Sequence, residues 1–381
     1  TLTPMPSGDY LWRVNDHAKT RREIARHSKV DAEAYEEYGK AMVEMGRFVK
    51  PILNMTPPDP TSLDPRGLMD LLFLGRRFQA LPEQDKYNQV QLMTMSAVDF
   101  LDQWFETDVL KATMSASGII GTFLGVRSPG TAYVLLHHYM GEVDGEYRAW
   151  GLPVGGTGAI SGAIGAAARE LGAEIRTESP VARIKTRGGK AAGVELESGE
   201  VIRAPVVVSS ADVRVTLGRL LDGGTLAESD ARAVGRYKFR GSSAKVNFAL
   251  SGLPKFSCLP AGTTDVYRGM VSISPSVDYL ERAYDDAVDG RFSRAPYIDM
   301  GFPSAIDPSV APAGKHVMAC FVQYAPYHLR ESDWDAERQR LGDTVQRTLE
   351  SFFPGFSDLV LHREVVTPLD IERVVGLSEG N

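Results

Sequence analysis

At 381 residues the chain is long enough to bury a large core and to divide into more than one domain. Its net charge of −7, with no block of like charge, argues against nucleic acid as the main partner, and no run approaches the ~18 apolar residues of a transmembrane helix. The two cysteines, Cys258 and Cys320, form no C-x-x-C pair, which speaks against a dithiol centre and a disulfide framework and suits a reducing compartment.

The chain opens on Thr1-Leu-Thr-Pro, with no initiator Met, signal-peptide pattern or convincing first strand, and closes on 376–381 with no helix or strand to tie it down. Both ends read as cuts in a longer protein. Residues 16 to about 145 read as helical. Asp16 opens a charged helix and Lys29 a second, in which Tyr35, Tyr38, Met42, Met45 and Phe48 form one apolar face. Pro51 and the prolines at 57, 58 and 60 break that pattern. Further helices are expected at 65–80, 85–104, 108–116 and 131–141. The apolar stretch 68–81, with Arg76 and Arg77 beside Leu71–Leu74, reads as a helix buried between domains; a surface resting on a membrane is the alternative.

From Gly172 the period changes. Strands are expected at 173–177, 181–186, 193–197 and 201–204, a small antiparallel meander leading to a buried strand at 206–209. Residues 245–250, 297–302 and 316–324 read as strands, and 333–353 as a helix with Leu341, Val345, Leu349 and Phe352 inward, stopped at Pro354-Gly355.

The glycine-rich stretch at 151–175 is the strongest local signal. Gly156, Gly158 and Ser161 nearly satisfy the G-x-G-x-x-G fingerprint, and Glu178 stands at about the distance of a ribose-binding acid. The residues before it, 148–154, contain Trp150, Gly151 and Pro153 instead of a buried strand. Spacing alone therefore favours a tightly packed turn and helix over a pyrophosphate loop.

An ordered set of motifs goes further. Pro153, Gly155, Gly156 and Gly158, then Val181 and Ile184, then Val206–Asp212, resemble the phytoene desaturase and carotenoid isomerase group of FAD-dependent oxidoreductases. The stretches 99–105, 128–138, 303–308, 323–327 and 367–372 extend the resemblance over essentially the whole chain. It implies a mixed α/β (α+β) fold, with a partial FAD-binding Rossmann-like domain carrying an antiparallel β-meander and a substrate domain of helices and a mixed or antiparallel sheet. The expected division is 1–145 (helical part of the substrate domain), 146–222 (partial FAD-binding domain) and 223–381 (sheet-and-helix part of the substrate domain).

The resemblance also implies FAD as cofactor and hydride removal from a C–H bond of an apolar or amphiphilic small molecule. The family's pyrophosphate loop lies near its N-terminus and another flavin-contacting segment at its C-terminus; neither motif occurs here. The 155–158 cluster is then a second glycine cluster near flavin and substrate. Gly155, Gly156, Val181, Ser209, Ser210 and Ala211 are the expected cofactor contacts, the last three at the carboxyl end of a strand where α/β sheets receive ligands. His137 and His138 are the candidates for a catalytic side chain; being adjacent on a helix, they cannot both face one site. The seven histidines show no metal-ligand spacing. Peripheral membrane contact is compatible with a lipid-like substrate, and the compartment would be cytoplasm in a bacterium or mitochondrial matrix in a eukaryote. The rival readings are a non-catalytic interaction protein on the same scaffold and an isomerase using reduced flavin.

Overall fold

The computed structural model describes residues 1–62, 64–143, 146–147 and 151–381, with backbone only at 142, 143, 146 and 147. The chain opens with two short strands, Leu2–Pro4 (β1) and Tyr10–Trp12 (β2), paired antiparallel. Their sequence gave no such expectation, because three-residue strands are made by their partners and not by local pattern.

Seven helices follow. His17–Ile24 (α1) starts at Asp16, whose side chain accepts from the Lys19 amide, and Lys29–Val49 (α2) starts at Ser28 in the same way. Tyr38, Met42 and Met45 of the expected stripe are buried. Pro65–Ala80 (α3) is capped by Asp64 with proline in its first turn. Glu83–Thr94 (α4), Ala97–Asp102 (α5), Asp108–Ser115 (α6) and Thr131–His137 (α7) complete the set, the expected 85–104 helix being broken at Met95-Ser96, where Ser96 caps α5. Leu11, Tyr38, Met42, Phe100, Leu110 and Leu136 centre one core. α3 lies outside it. None of its residues is buried, and Leu68, Met69, Leu72 and Phe73 are exposed, so the expectation of a buried helix fails among the described residues.

Two short strands, Glu142–Val143 (β3) and Glu146–Tyr147 (β4), pair antiparallel ahead of the glycine-rich stretch; residues 148–150 lie outside the described residues. Gly158–Glu170 (α8) is followed by the meander Val181–Arg187 (β5), Lys190–Leu196 (β6) and Val201–Arg203 (β7), a three-stranded antiparallel sheet as expected. At Gly193 (φ +137°) a Cβ would lie 2.1 Å from the Ile202 carbonyl oxygen, so glycine is required for β6 and β7 to close. Residues 173–177 and 206–209 are not strands. They find no ladder partner among the described residues, and Val206 and Val208 are 72% and 91% exposed. The branched apolar run at 206–208 has the composition of a buried strand, but composition does not supply neighbours.

The remaining elements build the main sheet. Strands Ser243–Leu250 (β8), Val271–Ile273 (β9), Tyr297–Gly301 (β10), His316–Gln323 (β11) and Val360–Val366 (β12) join β1 and β2 in the order β12-β8-β11-β10-β9-β1-β2. Every pair is antiparallel except β1 with β9. Helices Glu228–Gly235 (α9), Val277–Val288 (α10), Pro303–Ile306 (α11), Trp334–Phe352 (α12) and Pro368–Asp370 (α13) flank it. On one face Val246, Phe248, Met318, Cys320, Ile298 and Met300 bury themselves against Leu341, Val345 and Leu349 of α12. Strand alternation sends the intervening residues to the opposite face, where Tyr297 and Tyr324 pack with Val277 and Leu280 of α10 and Ile119. The fold is the expected mixed α/β.

Candidate active site

Two groups of residues have the character of a site, one on the glycine-rich segment and one on the face of the main sheet away from α12. Gly155 and Gly156 both take left-handed backbone angles (φ +84° and +81°) immediately before α8. A Cβ at Gly156 would touch nothing within 4 Å, so the backbone angle and not crowding calls for glycine there. The Gly155 amide donates to Asp307 Oδ2 at 2.6 Å, which, with Ser309, holds that carboxyl below its ordinary range. The Gly156 amide donates to the Pro153 carbonyl. Neither amide is left to bind a pyrophosphate, in keeping with the reading of 155–158 as something other than a phosphate cradle.

Two separate stretches are uncovered. Gly158 and Gly162 on α8 face open space, and the extended run 206–211 ends in the exposed small residues Ser209, Ser210 and Ala211. Ser209 Oγ lies 2.8 Å from Thr216 Oγ1, while Asp212 accepts from the amides of Val215 and Ser378, both at 2.9 Å. Asp212 thus caps the turn after the run and clasps the chain's last residues, which are also held by the Arg214–Glu379 ion pair. Val181 begins β5, an outer strand of the meander. A flavin dinucleotide needs backbone it can approach without side chains in the way, bordered by apolar surface. Gly158, Gly162 and residues 209–211 are open to approach in this way, whereas the amides of 155 and 156 are already donated within the chain.

The second group was not singled out from the sequence. Registers across five strands align Ser272, Asp299, Phe321, Lys245 and Val366 in one row. The next row sets Gly301, Ala319, Asn247 and Glu364 side by side, with Asn247 Nδ2 donating to Glu364 Oε2 at 2.9 Å. These residues alternate with the apolar core positions and so share the face away from α12. Lys245 and Glu364 are exposed, Asp299 only partly. Burial pushes the Asp299 carboxyl up to about 7, against the weaker pull of the Thr1 α-amino group. A carboxyl that keeps its proton near neutrality can donate a hydrogen bond or exchange a proton with a bound molecule. The sequence signal was one acid at an odd position of an otherwise apolar strand, Tyr297-Ile-Asp-Met-Gly-Phe302.

Other candidates fall elsewhere. His137 is exposed at the end of α7 and His138 half-buried beside it, their rings 6.4 Å apart and nearly perpendicular, on a different element from both groups. His328 is exposed, 3.7 Å from Glu379. Tyr324 is wholly buried with its hydroxyl donated to the Leu124 carbonyl, and Tyr327 donates to Glu372, so neither is free to line a tunnel. Cys320 is a core residue whose thiol burial pushes far up, which makes it an inert thiol.

With this geometry in place, comparison gives the class and then the family. The fold is shared with a redesigned triple mutant of putrescine oxidase at a TM-score of 0.50, covering 89% of this chain and 61% of that one at 11% identity. Residues 66–367 match the family described as flavin containing amine oxidoreductase, and the chain belongs to that family of FAD-dependent oxidoreductases; FAD is its cofactor. Among relatives, pyridine nucleotide-disulfide oxidoreductase domain-containing protein 2 of Rattus norvegicus is 34% identical over 96% of this chain and 65% of its own length. The zeta-carotene-forming phytoene desaturase of Myxococcus xanthus is 28% identical over 83% of this chain and 56% of its own. The chain therefore spans a little under two thirds of the rat relative.

Proposed function

We propose that the protein oxidises or desaturates a C–H bond of an apolar or amphiphilic small molecule. When bound, FAD supplies the electron acceptor for such a reaction. In this reading 146–222 is the partial FAD-binding domain, with Gly155, Gly156, Val181, Ser209, Ser210 and Ala211 along the cofactor, and 1–145 and 223–381 form the substrate domain. The observation that carries it is the uncovered small-residue edge at 206–211, in a chain of a flavin family. Asp299 is the group we assign to hold or move a proton on the sheet face, in preference to His137 or His138. The phytoene desaturase relative supports an apolar substrate. The exposed row Leu68, Met69, Leu72 and Phe73 on α3, with Arg76 and Arg77 at its end, supports peripheral contact with a membrane from which such a substrate enters. Among the described residues no helix is long and apolar enough to cross one.

The full-length protein should copurify with flavin, and its absorbance should bleach anaerobically on adding the right apolar alkene or carotene. Ala211→Phe, which sets a ring on the open edge, should lower flavin occupancy several-fold while leaving the circular dichroism unchanged. A folded, flavin-free full-length protein would favour the interaction-protein reading; double-bond isomerisation without net bleaching would favour the isomerase.

A further inference from the structure

A cavity of about 430 Å³ opens where one end of the main sheet meets its flanking loops. His316, the first residue of β11, lines it with Ser304 of α11, Lys315 from the loop before β11, and the ends of a 3-10 turn at Asp265–Arg268. Arg268, Lys315 and Asp265 are exposed, and none of the three is engaged in a salt bridge or hydrogen bond among the described residues. Two permanent cations against one acid leave the described lining with a single positive charge over.

Two other parts of the lining are held in place. Ser304, 6% exposed, accepts the Val317 amide on Oγ at 3.0 Å, and that oxygen lies 3.2 Å from His316 Nδ1. Nδ1 is the one acceptor this hydroxyl meets among the described residues, so it receives the hydroxyl proton and the neutral ring keeps its own proton on Nε2. That N–H has no acceptor among the described residues. Tyr267 donates its hydroxyl to the Pro254 carbonyl at 2.8 Å, and its ring stands perpendicular to that of Phe302 at 5.4 Å, which fixes it as an apolar wall along with Leu253. A ligand in the cavity thus meets three residues with unused donors, Arg268, Lys315 and His316, together with a rigid apolar surface.

We propose that this cavity binds a small organic monoanion, with Arg268, Lys315 and His316 donating to its carboxylate and Leu253 and Tyr267 against its organic part. One negative charge closes the balance of the lining, whereas a phosphate monoester, at about −1.5 to −2 near neutral pH, overshoots it beside Asp265. Arginine's planar fork matches the two oxygens of a carboxylate, and an ionised acceptor makes the stronger hydrogen bond. The cavity shares no residue with 155, 156, 209–211 or the row through Asp299, and it stands whether or not the protein oxidises an apolar substrate.

Calorimetry on the full-length protein, with 2-naphthoate as the probe, tests this without a flavin readout. The neutral isostere 2-naphthamide should bind about tenfold more weakly, and acetate, which lacks the rings, at least as weakly as the amide. 2-Naphthyl phosphate should bind no better than 2-naphthoate. Arg268→Gln and Lys315→Gln, both at exposed positions, should each weaken 2-naphthoate several-fold and together bring it to the level of the amide, with circular dichroism unchanged. Asp265→Asn, which removes the acid from the lining, should tighten 2-naphthoate and move the preference toward the phosphate. Equal affinity for acid and amide, acetate binding as tightly as 2-naphthoate, 2-naphthoate binding that the double variant leaves intact, tighter binding of the phosphate by the unaltered protein, or no binding at all would each overturn the proposal.

Discussion

Asp299 occupies a position that an apolar residue would fill more comfortably. Its carboxyl, raised by burial to about 7, binds a proton more tightly in the folded chain than in the unfolded one, where it titrates near 3.8. Between these values the unfolded state has released its proton and the folded state has not, so stability falls as pH rises from about 4 to about 7 and is flat beyond. Asp299→Asn removes the penalty. The variant should match the parent in thermal unfolding at pH 4 and exceed it at pH 8, by roughly 2–4 kcal/mol. Equal stability at both pH values would mean the carboxyl is solvated. This residue was not legible in the sequence, since an acid in a strand is ordinarily read as its solvent side and only the sheet's overlying packing makes it a buried one. Gly155 and Gly156 were legible, because a left-handed turn before a helix demands glycine whatever lies beside it.

On the scale of elements, legibility followed local cause. The bounds of α3 and α12 were close to expectation because proline, Asp64 and Asp333 mark their starts and Pro354 the end of the second. The short strands β1 and β2, and the failure of 173–177 and 206–209 to pair, depend on partners far away in the chain. The join between α12 and α13 shows how such distant elements are fastened. Thr367 and Asp370 form a reciprocal cap, and Asp370 also receives both guanidinium nitrogens of Arg338. Burial works against the Asp370 carboxylate, but Arg338 and the Thr367 hydrogen bonds outweigh it and hold its pKa at about 2. The stability it contributes is complete above the ordinary carboxylate range and is lost as pH falls from about 4 to about 2. Asp370→Asn should cost about 2 kcal/mol in urea unfolding at pH 7, and the gap should narrow below pH 3. A gap independent of pH would assign the loss to the cap alone.

The whole molecule divides by how its backbone is satisfied. Amides of β8, β10 and β11 sit at the centre of the seven-stranded sheet with ladders on both sides and cores above and below. Those of 173–177 and 206–211 have neither. Hydrogen exchange on this chain should therefore be slowest in the three central strands and fastest in the two unpaired runs. Strong protection at 206–209 would show that another strand pairs there.

One connection in that sheet governs how the protein must be made. β1 and β2, at residues 2–12, stand at one edge, joined through a single parallel register, Leu2 with Val271, to strands that begin only at residue 243; the opposite edge, β12, ends at 366. The helical lobe and the meander are thus loops enclosed within one long-range closure. During synthesis β1 and β2 leave the ribosome more than two hundred residues before the partner that seats them, with Leu2 and Leu11 exposed in the meantime. Until β9 emerges, the β1–β2 hairpin has to be kept from pairing elsewhere, and a holding chaperone would act on residues 2–12.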